Sequence, residues 1–363
     1  MELIEGTFLE RINRFTLKFS LDGKTYRAYL PNPGRLWEIL QKGRKIYVEK
    51  NPHSTFKYRV WAAEKEREVI LLYSSYCNKI AQDLIVKFFG YEIIKKEPKF
   101  LNHRFDFLIK DKGEEFFVEV KSVTLFKDEF SMFPDAPTKR GKEHINLLKN
   151  IGKGMVLFIT SNSKVRYFLP EFHTDPQFSR ALYEGRNSLK IIPLVLKFDK
   201  NLNYEMVRIA KIPWKIYERE AKGKGSYIFS GYLGRKKWIN FGKDKKFLFE
   251  KGWYLYVGSG MGSLEGRIKR HLRKRKKTHW HLDYLRENLK KIRVFPIYSS
   301  KRLECKISKE LSKISTSYVK FFGSSDCLCP SHLFYFKENP LKNQNFIEML
   351  LDLRMKKLSG RAP

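Results

Sequence analysis

The sequence predicts a mixed α/β protein with a strand-rich start and further α/β units behind it. Three observations carry that prediction. Residues 1–80 alternate apolar and polar side chains between Gly, Pro and Asn breaks, as half-buried strands do. From about residue 75 onward, segments of helical period alternate with short apolar runs, the pattern of layered α/β units. The chain has 363 residues, 42% of them hydrophobic and 15% aromatic, enough to bury two or three cores and too apolar for disorder.

Taken in order, residues 15–21, 25–30, 45–49 and 69–73 read as strands, the first two joined by an Asp22-Gly23 turn; together they suggest a small barrel or meander. Residues 75–89 read as a helix with Ile80, Leu84 and Phe88 four apart on one face. Strands follow at 104–110 and 115–123, a helix at about 138–150, then apolar strands at 155–160 and 191–198. The polar stretch 213–224 reads as a linker. Beyond it, strands at 226–230, 238–241 and 252–258 precede a basic helix from about residue 264 and a strand at 293–298. The domains expected are thus 1–80, 81–212 and 225–340, with an amphipathic tail helix in 341–363.

Charge narrows the function. There are 73 Lys and Arg against 39 Asp and Glu, a formal charge of +34, and residues 226–340 alone hold 26 basic and 9 acidic residues. A thermophilic surface bias raises both signs together, whereas here the basic side dominates. The partner expected is a polyanion, DNA first and RNA as the alternative. No run approaches the roughly 20 apolar residues of a membrane span, the start resembles no signal peptide, and four cysteines are too few for a disulfide scaffold. A cytoplasmic protein without a membrane partner is expected; the oligomeric state is not written in the sequence.

Two carboxylates stand out. Asp106 lies in one predicted strand, and Glu119 and Lys121 lie in the next, two apart and so on one face. A hairpin turning between Lys112 and Gly113 sets paired positions to sum to 225, which places Asp106 opposite Glu119. Like charges held that close call for Mg²⁺ or Mn²⁺ between them, with Lys121 orienting an attacking water. The plain alternative is an ordinary solvent-facing strand pair.

The surrounding segments carry a resemblance. Glu10-Arg11-Ile-Asn-Arg14-Phe15, Pro31-Asn32-Pro33-Gly34-Arg35-Leu36, Glu119-Val-Lys-Ser-Val-Thr124 and Phe133-Pro-Asp135-Ala-Pro-Thr138-Lys-Arg140-Gly141, followed by His144, resemble the sugar fermentation stimulation protein A family over about residues 1–210. The resemblance implies an N-terminal OB-like β-barrel, a PD-(D/E)XK nuclease-like α/β domain in which Asp106, Glu119 and Lys121 match the motif, and DNA binding. Tyr29 stands where that family often has His. Arg11, Arg14 and Arg35, interleaved with Phe15, Tyr26 and Tyr29, suit backbone and stacking contacts to DNA, with Phe15 itself expected in the barrel core. Asn32 belongs to the same DNA-binding set, although Asn32-Pro-Gly34 also reads as a tight turn. Arg140 and His144 lie one helical turn apart and are expected to face phosphate together; Asp135 is a candidate cap for that helix.

The second constellation is Gly225-Ser226-Tyr227 and Tyr256-Val257-Gly258-Ser259, then a helix with Arg267 and His271, and Glu304 opening a later helix. It resembles a GIY-YIG nuclease domain, and Thr278-His-Trp280-His281-Leu-Asp283-Tyr-Leu with Phe322-Gly-Ser-Ser-Asp-Cys327-x-Cys329-x-x-His332 resembles an uncharacterised GIY-YIG-like subfamily over about 222–338. The resemblance implies Tyr256 activating water, Arg267 clamping phosphate, Glu304 holding the metal and Tyr227 in support. Two departures show: 28 residues separate the tyrosines, which predicts an inserted strand pair, and Ser259 stands where repair-type members can carry Lys. The run from Arg267 through Arg270, His271 and Arg273 to Lys277 is expected to contact phosphate. Cys327-x-Cys329-x-x-His332, with Cys305 elsewhere, matches a metal set in residue types, but its one-residue spacing strains a tetrahedron, so thiols packed around a core are the expectation. The whole reads as a DNA-binding protein with Mg²⁺-dependent phosphodiesterase activity in one or both nuclease-like domains, or as a catalytically silent binder built on the same folds.

Overall fold

A computed structural model describes residues 2–51, 55–241, 245–273, 280–356 and 358. Two compact units meet in sequence between Trp214 and Lys215.

The first unit opens with six strands: β1 (Ile4–Asn13), β2 (Thr16–Leu21), β3 (Lys24–Tyr29), β4 (Lys45–Lys50), β5 (Tyr58–Lys65) and β6 (Glu68–Leu71). β1 pairs with β2 and β4, β2 with β3, β4 with β5, and a bridge between Tyr29 and Arg59 joins β3 to β5. That bridge closes five strands into an OB-like barrel, with β6 continuing from β5. Leu17, Phe19, Ala28, Ile46, Val48 and Val60 fill it.

Helix α1 (Tyr76–Lys87) follows. Its buried face is Cys77, Ile80, Ala81, Leu84 and Ile85, each large aliphatic contributing about 1.5–3 kcal/mol by leaving water; Phe88, expected on that face, lies past the helix end and is half exposed. Then come β7 (Glu92–Lys96), the short β8 (Lys99–Phe100) and β9 (His103–Arg104), β10 (Phe107–Asp111), β11 (Glu114–Val123), β12 (Leu125–Lys127), β13 (Phe130–Phe133), α2 (Lys139–Ile151), β14 (Gly154–Thr160), β15 (Tyr167–Pro170), α3 (Pro176–Glu184), β16 (Leu189–Phe198) and β17 (Tyr204–Ile209). The main sheet runs β17-β16-β14-β11-β10-β7. Its centre, β11, β14 and β16, is parallel, and its flanks are antiparallel. Fully buried Gly154–Thr160 is the apolar run such a central parallel strand requires. Barrel and sheet share their cores: Val60 and Ala63 cluster with Val156 and Phe158, and Trp61 and Ala62 with Ile80, Leu84 and Val118.

A latch also ties them. Asp135 Oδ2 accepts the Leu36 amide at 2.7 Å, holding Leu36 at φ 53°, a conformation branched side chains avoid. Asp135 was expected to cap α2; that cap is instead Thr138, whose hydroxyl accepts the Gly141 amide at 3.0 Å.

The second unit begins with α4 (Trp214–Glu220), so the stretch expected as a linker is largely helical, and its Glu220 is buried, accepting the Ser300 amide at 2.9 Å. Next are β18 (Gly225–Leu233), β19 (Lys237–Phe241), β20 (Lys245–Phe249), β21 (Gly252–Gly260), α5 (Leu264–Leu272), α6 (His281–Arg286), β22 (Lys290–Tyr298), α7 (Glu304–Ile314), β23 (Ser317–Tyr318), β24 (Leu333–Phe336) and α8 (Gln344–Leu351). The antiparallel sheet runs β22-β18-β21-β24-β23. The β19–β20 hairpin is the inserted strand pair. The tail does not lie apart: Phe346 of α8 packs edge-on against Phe295 at 5.4 Å, and Arg354 donates to the Pro296 carbonyl at 2.9 Å.

Candidate functional site

The β10–β11 ladder pairs Phe107 with Val118 and Asp111 with Glu114, the register the sequence predicts. Asp106 sits one residue before β10, where the ladder opens. Its Oδ1 accepts Asn78 Nδ2 of α1 at 2.6 Å and its Oδ2 accepts the Val120 amide at 2.7 Å. Glu119 and Lys121 share one face of β11, and Lys121 Nζ donates to Glu119 Oε1. The same oxygen lies 2.9 Å from His144 Nδ1. Arg140, one turn earlier on α2, donates its Nε–H to His144 Nε2 at 3.3 Å. Arg140 and Glu119 thus flank the imidazole on its two nitrogens. Glu119 Oε2 is left buried without a hydrogen-bond partner.

The two carboxylates diverge electrostatically. Burial, then the charge of Glu119, raises Asp106 above the ordinary aspartate value. Burial also pushes Glu119 up, but the His144 hydrogen bond and the Lys121 charge outweigh it, and the net shift is downward. An unpartnered buried carboxylate oxygen beside a second carboxylate is a hard-oxygen donor set, which fits Mg²⁺ or Mn²⁺. The residue sequence reasoning missed is Asn78, which lies 28 positions from the carboxylate it orients and has no periodic signal.

The barrel's basic residues divide into two groups. Arg11 donates to the carbonyls of Gly34 and Arg35 at 2.7 Å each, of Arg14 at 2.7 Å, of Asn32 at 3.1 Å and of Asn13 at 3.2 Å. A guanidinium has five N–H groups, so Arg11 builds the 31–36 loop and offers DNA little. Asn32 is buried, accepting the Gly34 amide at 2.9 Å and donating to the Leu72 carbonyl at 3.0 Å; it too is loop structure. His144 is buried against Glu119 and is not a surface phosphate contact. By contrast, Phe15 is 43% exposed, against the core position expected for it, and Tyr29 is 36% exposed. Beside them Arg14 lies 5.9 Å from the Phe15 ring, and Arg35 stacks on Trp37 at 4.9 Å. Arg140 is exposed. Arg11→Ala is therefore expected to lower unfolding free energy by about 2–4 kcal/mol, read as an earlier urea midpoint, with DNA affinity per folded molecule unchanged.

In the second unit Tyr227 of β18 and Tyr256 of β21 bring their rings to 6.5 Å, and His271 of α5 lies 5.7 Å from Tyr227. Gly258 is required opposite them, because a Cβ there would stand 2.3 Å from the Tyr227 hydroxyl. Glu304, first residue of α7, receives Ser259 Oγ–H on Oε2 at 2.7 Å and faces His332 Nδ1 from Oε1 at 3.2 Å. Arg267 stacks on Trp280 at 4.3 Å. The four residues expected together do converge, since Tyr256, Arg267 and Glu304 all act electrostatically on Tyr227. Yet burial first, and then Tyr256 beside Tyr227 and Glu304 beside Tyr256, raise both phenols, the opposite of the lowered value a phenolate base needs.

Among the described residues of the basic run, two are turned inward. Arg270 reaches Asp283 of α6 through both terminal nitrogens, at 2.9 and 3.3 Å, and His271 Nδ1 lies 3.3 Å from the same carboxylate. These two, expected on DNA, join α5 to α6. Arg273 is exposed; residues 274–279, with the rest of the run and His279, lie outside the described residues. Nor are the cysteines packed in a core: Cys305 is exposed and Cys327 and Cys329 are intermediate.

Comparison with known proteins agrees with this architecture. Residues 9–72 match the SfsA N-terminal OB domain, residues 74–201 the sugar fermentation stimulation protein RE domain, and residues 226–355 the domain of unknown function DUF123. A sugar fermentation stimulation protein homolog of Aquifex aeolicus is 39% identical over 185 residues, which span 50% of this chain and 85% of that protein. A homolog of Thermosipho melanesiensis is 35% identical over 62% of this chain and 95% of its own length. The structure of Pyrococcus furiosus SfsA in complex with Ca²⁺ superimposes with a TM-score of 0.55 at 28% identity, covering 58% of this chain and 96% of that one. An OB barrel leading into a mixed sheet, with Asp106 and Glu119 brought together at neighbouring inner strands, defines the class of the first unit. The chain belongs to the sugar fermentation stimulation protein family. No helix among the described residues is long and apolar enough to cross a membrane.

Proposed function

We propose that this protein binds DNA and hydrolyses its phosphodiester bonds with a divalent cation held by Asp106 and Glu119. The observation that carries the reading is Glu119 Oε2, buried and unpartnered beside a second carboxylate. A desolvated anionic oxygen is costly unless a cation meets it. The Ca²⁺ in the Pyrococcus furiosus relative supports a hard-cation site in this family.

Mg²⁺ or Mn²⁺ bound there supplies positive charge for the phosphate and acidifies water. The chain's own residues do the rest. Asn78 and the Val120 amide fix Asp106 from two sides. Lys121 and His144 lie against Glu119 Oε1, leaving Oε2 available, and Arg140 donates to His144 Nε2 from behind. Lys121, on the face of Glu119, is placed to hold a water or steady charge on the phosphate. Phe15, Tyr29, Arg14 and Arg35 supply the aromatic and basic surface on the barrel that strand binding requires.

For the second unit we propose a GIY-YIG-like fold acting on nucleic acid. A specific observation favours a binding role there over cleavage: both Glu304 oxygens have protein partners, and both phenols are raised. The test is labelled single-stranded, duplex and branched DNA with Mg²⁺, Mn²⁺ or EDTA, comparing wild type, Glu119→Ala and Glu304→Ala. Metal-dependent cutting lost in Glu119→Ala and retained in Glu304→Ala is the expected result. No cutting by wild type, with binding intact, sinks the enzymatic reading for these substrates.

A further inference from the structure

We propose that the second unit holds one structural zinc ion on Cys305, Cys327, Cys329 and His332. One ligand atom from each of these residues lies within 4.8 Å of all the others, although Cys305 comes from α7 and the rest from the loop before β24. Three sulfurs and an imidazole nitrogen are a zinc donor set, and at Zn–S distances of about 2.3 Å a tetrahedron has edges of about 3.8 Å. The Cys327 sulfur and His332 Nε2 are already 3.4 Å apart. The remaining contraction is within reach of side-chain rotation.

The one-residue spacing that argues against a metal presumes an extended chain. Residues 324–329 form neither strand nor helix, so both thiols can turn to one side. What they turn away from is telling. Leu328, between them, is 105% exposed, and Phe321, at φ 59°, is 81% exposed. Full burial of such side chains is worth about 1.5–3 kcal/mol each. A loop that forgoes this while bringing two cysteines and a buried histidine against Cys305 is organised around those four side chains.

The second layer of contacts points the same way. His332 Nδ1 faces Glu304 Oε1 at 3.2 Å. With the carboxylate on the Nδ1 side, Nε2 is the nitrogen on the side of the Cys327 sulfur. Metal-bound histidines characteristically have such a partner. Glu304 is in turn held by the Ser259 hydroxyl at 2.7 Å. The zinc would therefore cross-link α7 to the loop, and Glu304 would serve the histidine.

The full chain, purified without chelator, is expected to carry one equivalent of zinc by elemental analysis. Cobalt exchanged into it should show tetrahedral d–d bands and thiolate-to-cobalt charge transfer. Cys329→Ser and Cys305→Ser should lower zinc to a small fraction of an equivalent, while Cys77→Ala, buried in the other unit, should leave it unchanged. Glu304→Ala should weaken zinc affinity about 10–100-fold. Should the cysteine variants fail to fold, zinc-edge absorption on wild type reads the shell directly, and three sulfurs with one nitrogen is the expected set. A folded wild type without zinc, an intramolecular disulfide among these cysteines by mass spectrometry, iron in place of zinc, or zinc retained in both serine variants would each overturn the assignment. None of these readings depends on whether the protein cuts DNA.

Discussion

Glu119→Gln is expected to reduce metal-dependent DNA cleavage at least about a thousandfold while leaving DNA affinity unchanged or tighter. The substitution keeps size and shape and removes the charge from Glu119, whose Oε2 is buried without a hydrogen-bond partner. A catalytic cation contributes several kcal/mol of transition-state stabilisation, at 1.36 kcal/mol per tenfold in rate. DNA loses nothing, because a carboxylate near phosphate repels it. Single-turnover rates and filter binding on one preparation separate the two effects; equal losses in both would show Glu119 to be structural. Asp106 adds a second handle: burial and then the Glu119 charge hold its carboxyl above the ordinary aspartate value, and Asp106→Asn is expected to abolish tight cation binding, read by calorimetric titration with Mn²⁺.

The sequence made the carboxylate pair legible because a hairpin's register follows from its turn, and Lys112-Gly113 fixed it. The barrel was harder to see. β1 buries only Gly6 and Phe8 of its ten residues, so it shows no alternation. β5 buries nearly all of its own, since Val60 and Ala63 face one core while Trp61 and Ala62 face the other; two-sided burial erases period two. Basic residues misled for a related reason. Arg11 and Arg270 look identical in sequence to DNA-contacting arginines, and only the fold reveals the carbonyls and the carboxylate that engage their donors. Phe15 erred in the other direction: an aromatic beside a strand reads as core until the barrel's outside is known. Cys305 could not be joined to Cys327 and Cys329 from spacing, because its helix and their loop come together only through the sheet.

Between barrel and sheet, Glu38→Gln is expected to stabilise the first unit by about 3–5 kcal/mol above pH 8 and by little at pH 5. Glu38 is buried, and burial, then the nearby Asp135 carboxylate, push it up to about 8 against the opposing pull of Lys65 and Arg44. The folded protein thus keeps a proton there that the unfolded chain releases near the ordinary glutamate value of 4.5. The stabilising contribution of this protonated group is fully present below that value and is lost as pH rises through about 8. Asp135 is also raised, by burial first, so the two carboxylates push stability in the same direction. Glutamine retains the neutral shape and has no proton to lose. Urea unfolding of wild type and variant across pH 5–9 should show the curves meeting at the acid end and diverging toward alkali; parallel curves would mean that Glu38 ionises in the folded state at no cost.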